Sequence, residues 1–259
     1  MFGLFNQKPP LDPASSQWLR DHFVWALDNF GEELFFRHTV LVQPNNTFFP
    51  GRADSVQDMA QLVFDQVKKY AGVTHWPTEL LHHEACALSQ TGQVEIQGAL
   101  RGPEGVAPVG ADVVRLQIPY NPQKINNPEG LIASFAHTLG HYLGQMARTP
   151  PPAGSEYWPE ITELLAIYLG FGLMFANSAF TFRGGCGSCY NPAANRQAAL
   201  SETEATYALA IFAVLKRIPV AQVTPHLKKH LRGFFRRAYR DVQSHEHSLR
   251  QVTVTGEAG

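Results

Sequence analysis

The sequence predicts an α+β protein in which a small antiparallel sheet precedes a mainly helical half. Apolar residues recur at helical spacing in several long segments, and three shorter segments between residues 80 and 118 have strand-like patterns separated by Gly- and Pro-bearing turns. The chain has 259 residues, 44% hydrophobic and 17% charged, which is typical of a globular domain with a sizeable core. We therefore expect a single domain over residues 1–243 and a disordered tail over residues 244–259.

Composition and charge narrow the functional classes. The formal net charge is -1, which predicts no general attraction to nucleic acid or to anionic membranes. The N-terminus lacks a basic region followed by a long apolar stretch, so no secretory signal is expected. Three cysteines are too few for a disulfide framework. These features predict a cytoplasmic protein with reduced thiols, and they leave its oligomeric state open.

One uncharged run, residues 164–182, is long enough to cross a bilayer. It contains Asn177, Ser178 and Thr181, and acidic residues directly precede it. We interpret the run as a buried core helix followed by a strand-like segment from residue 176, and we expect no membrane partner.

Local capping and turn signals divide the chain into elements. Ser55 with Asp58, and Ser201 with Glu204, are typical of capping boxes, and Asn127 before a proline is a helix start. The predicted helices cover residues 15–31, 55–71, 127–146, a segment from about 159, 201–215, and a basic segment from 224. The predicted strands cover residues 38–42, 80–89, 93–100 and 113–118.

The third predicted helix carries His137 and His141. Residues four apart lie on one helical face, so the two imidazoles can share one zinc ion. The next helix supplies Glu160 and Glu163 after a short connection, and either acid is a candidate third ligand. Two histidines and one carboxylate also suit iron(II).

The segment from His137 to His141 reads His-Thr-Leu-Gly-His, which matches the HExxH motif of zincin metallopeptidases at both histidines. The following segment, Thr-Glu-Leu-Leu-Ala-Ile-Tyr-Leu-Gly-Phe-Gly from Thr162, resembles the second helix of a gluzincin-type family of uncharacterised bacterial zincin-like proteins. The resemblance spans roughly residues 40–240. It implies a zincin-like fold, metal-assisted peptide hydrolysis as the reaction class, and Glu163 rather than Glu160 as the third zinc ligand.

The chain departs from the family pattern at Thr138. HExxH enzymes have a glutamate there, which accepts a proton from metal-bound water. A threonine hydroxyl cannot act as that base near neutral pH, and losing a general base typically lowers the rate about 100- to 10,000-fold. The sequence thus predicts a metal-binding protein with impaired or absent catalysis, which binds a peptide or protein segment without cutting it.

A second pattern supports an alternative. Cys186 and Cys189 have CxxC spacing in a glycine-rich loop, and Cys86 with His82 or His83 would complete a structural zinc site if the segments met. A redox pair and an unliganded reduced loop are further readings. In this alternative the protein is a non-enzymatic structural or interaction module, and its paired histidines belong to the core.

Two further groups of charged or titratable residues each have more than one interpretation. His226 and His230 lie in the basic segment 225–240, which is typical of a solvated helix face but also suits an acidic partner or nucleic acid. Glu202 and Glu204 are expected to cap their helix, yet one of them near the metal would restore a base and give an active hydrolase. The sequence contains no phosphate-binding loop and no nucleophile elbow.

Overall fold

The protein is a mainly helical α+β molecule, described here by a computed structural model. The structure describes residues 9–82, 96–110, 113–152, 154–179, 198–246 and 249. The predicted fold class is confirmed. The predicted tail falls mostly outside the described residues, and the domain boundary at residue 243 stays a prediction.

Nine α-helices and four short strands follow one another in the described residues. The helices are α1 (Pro13–Phe30), α2 (Glu32–His38), α3 (Val56–Ala71), α4 (Pro128–Gln145), α5 (Trp158–Ala166), α6 (Gly172–Ser178), α7 (Glu202–Leu215), α8 (Val220–Val223) and α9 (Lys229–Ser244). The strands are β1 (Thr78–His82), β2 (Gln97–Gly98), β3 (Gly105–Val106) and β4 (Leu116–Tyr120).

The main strand pairing is parallel, so the prediction of an antiparallel sheet was wrong. Strand β1 pairs with β4 in parallel, with Thr78 opposite Leu116, while β2 and β3 form a separate two-residue antiparallel ladder. Strands that follow one another often form hairpins, but the long connection between β1 and β4 lets the chain return and run in the same direction.

Where the sequence contains a local capping signal, the helix begins where it was predicted. Ser55, Asn127 and Ser201 each accept a backbone N–H from the first turn of the helix that follows. The end of the long apolar segment differs from the prediction. A strand was expected from residue 176, but helix α6 continues to Ser178. The last long helix begins at Lys229, after the short helix α8 and a 3-10 turn.

A π-helical turn, Ile167–Phe171, joins α5 to α6 and contains Gly170 at φ +103°. Only glycine adopts this backbone region easily. The carbonyl of Gly170 accepts a hydrogen bond of 3.0 Å from the amide of Val42. Residues 38–42 were predicted as a strand, but His38 ends α2 and residues 39–42 form no strand, with Val42 bonding to this break in the helix.

The buried core is built around α7, whose residues from Ala205 to Leu215 are all buried. Helices α1, α6 and α9 pack against it, and α5 packs against α4. One helical stretch, Gly154–Ser178, is long and apolar enough to span a membrane, and 94% of its apolar window is buried within the protein. That burial is what the core-helix interpretation of the uncharged run predicts.

Candidate functional site

Helix α4 presents the two predicted metal ligands on one face. The helix is capped by Asn127, whose side-chain oxygen accepts the Gly130 amide at 3.1 Å. Both His137 and His141 are half-buried rather than enclosed in the core. Because the two residues are four apart within one continuous helix, their side chains project from the same face.

Two glycines of α4 let α5 approach closely. A Cβ atom at Gly140 would lie 2.9 Å from the carbonyl oxygen of Thr162, and one at Gly144 would lie 2.9 Å from the indole ring of Trp158. A larger side chain at Gly140 would require α5 to move, because its neighbours there are backbone atoms, and one at Gly144 would displace side chains of α5. The close approach brings the first turn of α5 over the histidine-bearing face.

His141 is engaged by a residue of α5. The indole Nε1 of Trp158 donates a hydrogen bond of 3.1 Å to His141 Nδ1. Because an indole nitrogen only donates, Nδ1 must carry a lone pair, and a neutral ring then holds its proton on Nε2. Burial lowers the pKa of His141, which favours that neutral ring.

The other nitrogen of the ring also has a protein neighbour. The side-chain amide nitrogen of Gln145 lies 3.0 Å from His141 Nε2. Satisfying both contacts of a neutral ring requires the Gln145 amide to turn its oxygen toward Nε2. In this arrangement His141 offers no unshared lone pair to a metal ion.

Glu163 is fully buried, with 0% of its surface exposed. Its two carboxylate oxygens accept the backbone amides of Ala199 at 3.1 Å and Leu200 at 3.0 Å. These residues directly precede Ser201, the N-cap of α7, so the negative charge lies near the positive end of that helix. The carboxylate thus fixes the start of α7 against α5.

Thr138 occupies the position that the catalytic glutamate holds in HExxH enzymes. Its hydroxyl donates a hydrogen bond of 3.1 Å to the carbonyl of Ser134, one turn earlier in α4. This bond directs the hydroxyl hydrogen to the backbone of its own helix.

Glu160, the alternative third ligand, lies in the first turn of α5 and is half-buried. It lines a cavity of about 340 Å³ together with Trp18, Tyr157 and Glu204. No described contact joins it to either histidine of α4.

The acids at the start of α7 have structural partners. Glu204 accepts the Ser201 amide at 2.8 Å and completes the predicted capping box. Glu202 forms an ion pair of 2.8 Å with His230, provided that the histidine is protonated. The Glu204 contact is the predicted capping role, whereas the Glu202 pair joins α7 to α9.

The described ranges contain no group of three or more His, Cys, Asp or Glu side chains placed to hold a metal ion. The structure brings α5 against α4, but His141 and the Glu163 carboxylate bond to protein groups. As arranged, two of the three predicted ligands do not fit a zinc site.

The cysteine alternative cannot be placed in the fold. Cys86, Cys186, Cys189 and His83 lie outside the described residues. His82, at the end of β1, is exposed, and its ring centroid lies 6.0 Å from that of Tyr120. The CxxC site stays a prediction.

Sequence reasoning missed Trp158 and Gln145. Gln145 stands four residues after His141, a spacing that indicates a shared helical face. Nothing in the sequence signals the contact of Trp158 with His141, because it depends on how α5 crosses α4. No protein-family model, curated protein or solved structure matches this chain.

Proposed function

We propose that this chain is a zincin-like protein that has lost peptide hydrolysis and keeps its histidine pair for a divalent metal ion, zinc first. The observation that carries the proposal is the face of α4, where two half-buried histidines flank a threonine in place of the base. On this view the protein holds a peptide or protein segment without cutting it.

The loss of hydrolysis rests on the chemistry of Thr138. A general base must accept a proton near neutral pH, and a hydroxyl that donates to the Ser134 carbonyl does not. Neither Glu202 nor Glu204 substitutes for it in this proposal, since Glu202 pairs with His230 of α9 and Glu204 accepts the Ser201 amide.

Metal binding requires a local exchange of hydrogen bonds. His137 and His141 would hold the ion, and Glu163 would complete the set through lone pairs not used by the two amides. The Trp158 indole would have to release His141 Nδ1, so that the ring can move its proton there and free Nε2. A bound zinc ion would supply Lewis acidity toward a peptide carbonyl.

A second candidate function is a metal-free structural or interaction module. The contacts of Trp158 with His141, and of Glu163 with the amides before α7, favour it, because they satisfy these side chains without an ion. Any metal would then be held by Cys186 and Cys189, with Cys86 contributing.

Elemental analysis of the purified full chain separates the two candidates. We expect about one zinc per chain, lost in His137→Ala and kept in Cys186→Ala. No metal in the wild type, or metal lost only in Cys186→Ala, contradicts the first candidate and supports the second.

A gain-of-function variant tests the lost base. If the wild type binds zinc and lacks peptidase activity, Thr138→Glu should raise hydrolysis of an unstructured protein such as casein by about 100-fold or more. Thr138→Gln is the matched control, because it has similar size and cannot accept the proton. Equal activity of the two variants would show that the missing carboxylate is not what limits the reaction.

A further inference from the structure

Arg101 is a buried cation, and no salt bridge to it is found among the described residues. Only 5% of its surface is exposed. Its Nε donates to the Ala71 carbonyl at 2.9 Å and its Nη2 donates to the Thr39 hydroxyl at 3.2 Å. The Nη1 nitrogen is buried and has no hydrogen-bond partner in the described part of the chain.

The aromatic neighbour of Arg101 does not neutralise it. The guanidinium carbon lies 5.1 Å from the ring centroid of Tyr168, a cation–π contact. Burial raises the pKa of Tyr168 to about 12, so the phenol stays neutral at physiological pH. The described contacts of Arg101 are all to neutral groups. Such surroundings leave a buried charge poorly compensated, and an unused guanidinium donor adds to that penalty.

Arg101 forms part of the wall of two neighbouring cavities, of about 520 Å³ and 460 Å³. Leu34, His38 and Pro103 also line both cavities, so the two spaces share part of their lining. Each cavity is within the size range of small-molecule sites. Because Nη1 itself is buried, an anion would reach it only after a movement of this lining.

The larger cavity has an excess of positive charge. Arg37 and Arg148 line it with Arg101, against the two carboxylates of Glu33 and Glu104. Glu33 is already paired with Arg37 at 2.8 Å, and Arg148 uses one nitrogen to donate to the Asp28 carbonyl at 2.8 Å. The net charge of the wall therefore favours an anion.

We infer that the larger cavity binds a small compound through a carboxylate or phosphate group that contacts Arg101 Nη1. A guanidinium presents donors in a fixed fork that matches both oxyanions, which a lysine in the same place would not do. Arg37 and Arg148 would contact the same group from the rim. This site is separate from the histidines of α4 and does not depend on metal binding.

Thermal unfolding of the full chain tests the site. Inorganic phosphate and acetate are compared with chloride at equal ionic strength and at low concentration, where screening is constant and the general stabilising effect of excluded salts is small. We expect phosphate, acetate or both to raise the unfolding midpoint above its value in chloride, and the comparison tells which oxyanion the site prefers. An unchanged midpoint in both contradicts the inference.

Arg101→Met removes the guanidinium donors and keeps an unbranched apolar side chain. Because it also removes an unpaired buried charge, we expect the variant to fold. Its affinity for the stabilising oxyanion, measured by calorimetry, should fall about tenfold or more. An undiminished affinity would place the anion elsewhere and overturn the inference.

Surface variants give the matched comparison. Arg37→Gln should weaken oxyanion binding, while Arg236→Gln, on the exposed face of α9, should leave it unchanged. If Arg101→Met does not fold, Arg37→Gln and Arg148→Gln decide the matter. Unchanged binding in both rim variants overturns the inference.

Discussion

Trp158 is one of two residues that engage the ring nitrogens of His141, and it determines which nitrogen carries the proton. Its indole holds His141 Nδ1 as an acceptor, which keeps the ring proton on Nε2. In metal sites a ligating histidine usually donates its second N–H to an oxygen, which orients the ring for binding. Here the direction of that hydrogen bond is reversed.

Replacing Trp158 by phenylalanine should therefore favour metal binding. With the competing donor gone, zinc affinity should rise about three- to tenfold, the value of one ordinary hydrogen bond. Competition with a fluorescent chelator measures the change. Trp25→Phe is the matched control, because it removes an indole hydrogen bond, to the Thr149 carbonyl, away from the histidines. Equal or weaker affinity in Trp158→Phe would mean that the indole does not oppose the metal.

At the scale of elements, the contact between α4 and α5 depends on residues without side chains. A Cβ atom at Gly140 would lie 2.9 Å from the Thr162 carbonyl oxygen and 3.2 Å from the Ala166 nitrogen. Both neighbours are backbone atoms, so they cannot move aside alone. The absence of a side chain at position 140 is therefore what allows the two helices to lie this close together.

Gly140→Ala should destabilise the protein by about 1–3 kcal/mol through this clash. Gly233→Ala, in α9, has no atom within 4 Å of the new methyl group and should instead stabilise by about 0.5–1 kcal/mol, because alanine favours helix. Urea unfolding of both variants gives the two free energies. Similar values for the two would show that the α4–α5 contact tolerates a larger separation.

The elements also show which features a sequence can predict. Ser55, Asn127 and Ser201 act within one turn of their own helices, so the helix starts they signal are found in the structure. The parallel pairing of β1 with β4 depends on the path of the long segment between them. The hydrogen bonds of Glu163 to residues 199 and 200 likewise join parts that are distant in the chain. The local spacing that placed His137 and His141 together carries no information on such partners.

On the scale of the whole molecule, buried histidines link stability to pH. Burial lowers the pKa of His22 and of His75 below the ordinary value. The unfolded chain then binds protons at a higher pH than the folded protein does. The free energy of unfolding should therefore fall as the pH drops below about 6.5, the pKa of a free histidine.

Urea unfolding at pH 7.5, 6.5 and 5.5 measures this dependence. Each such histidine contributes at most about 1.4 kcal/mol per pH unit within the window. His22→Gln should reduce the slope, because it removes one of the two buried rings. A stability that rises from pH 6.5 to 5.5 would mean that the buried rings gain a partner on protonation.

The hydrogen bond between the Val42 amide and the Gly170 carbonyl has a consequence for the order of folding. It closes a loop of more than a hundred residues, and such distant contacts are slow to form. The break between α5 and α6 can be completed only when the segment from residue 39 has arrived. The Val42 amide proton should therefore exchange with solvent only in openings that approach global unfolding. Its exchange would report when the segment before α3 has packed against the break between α5 and α6.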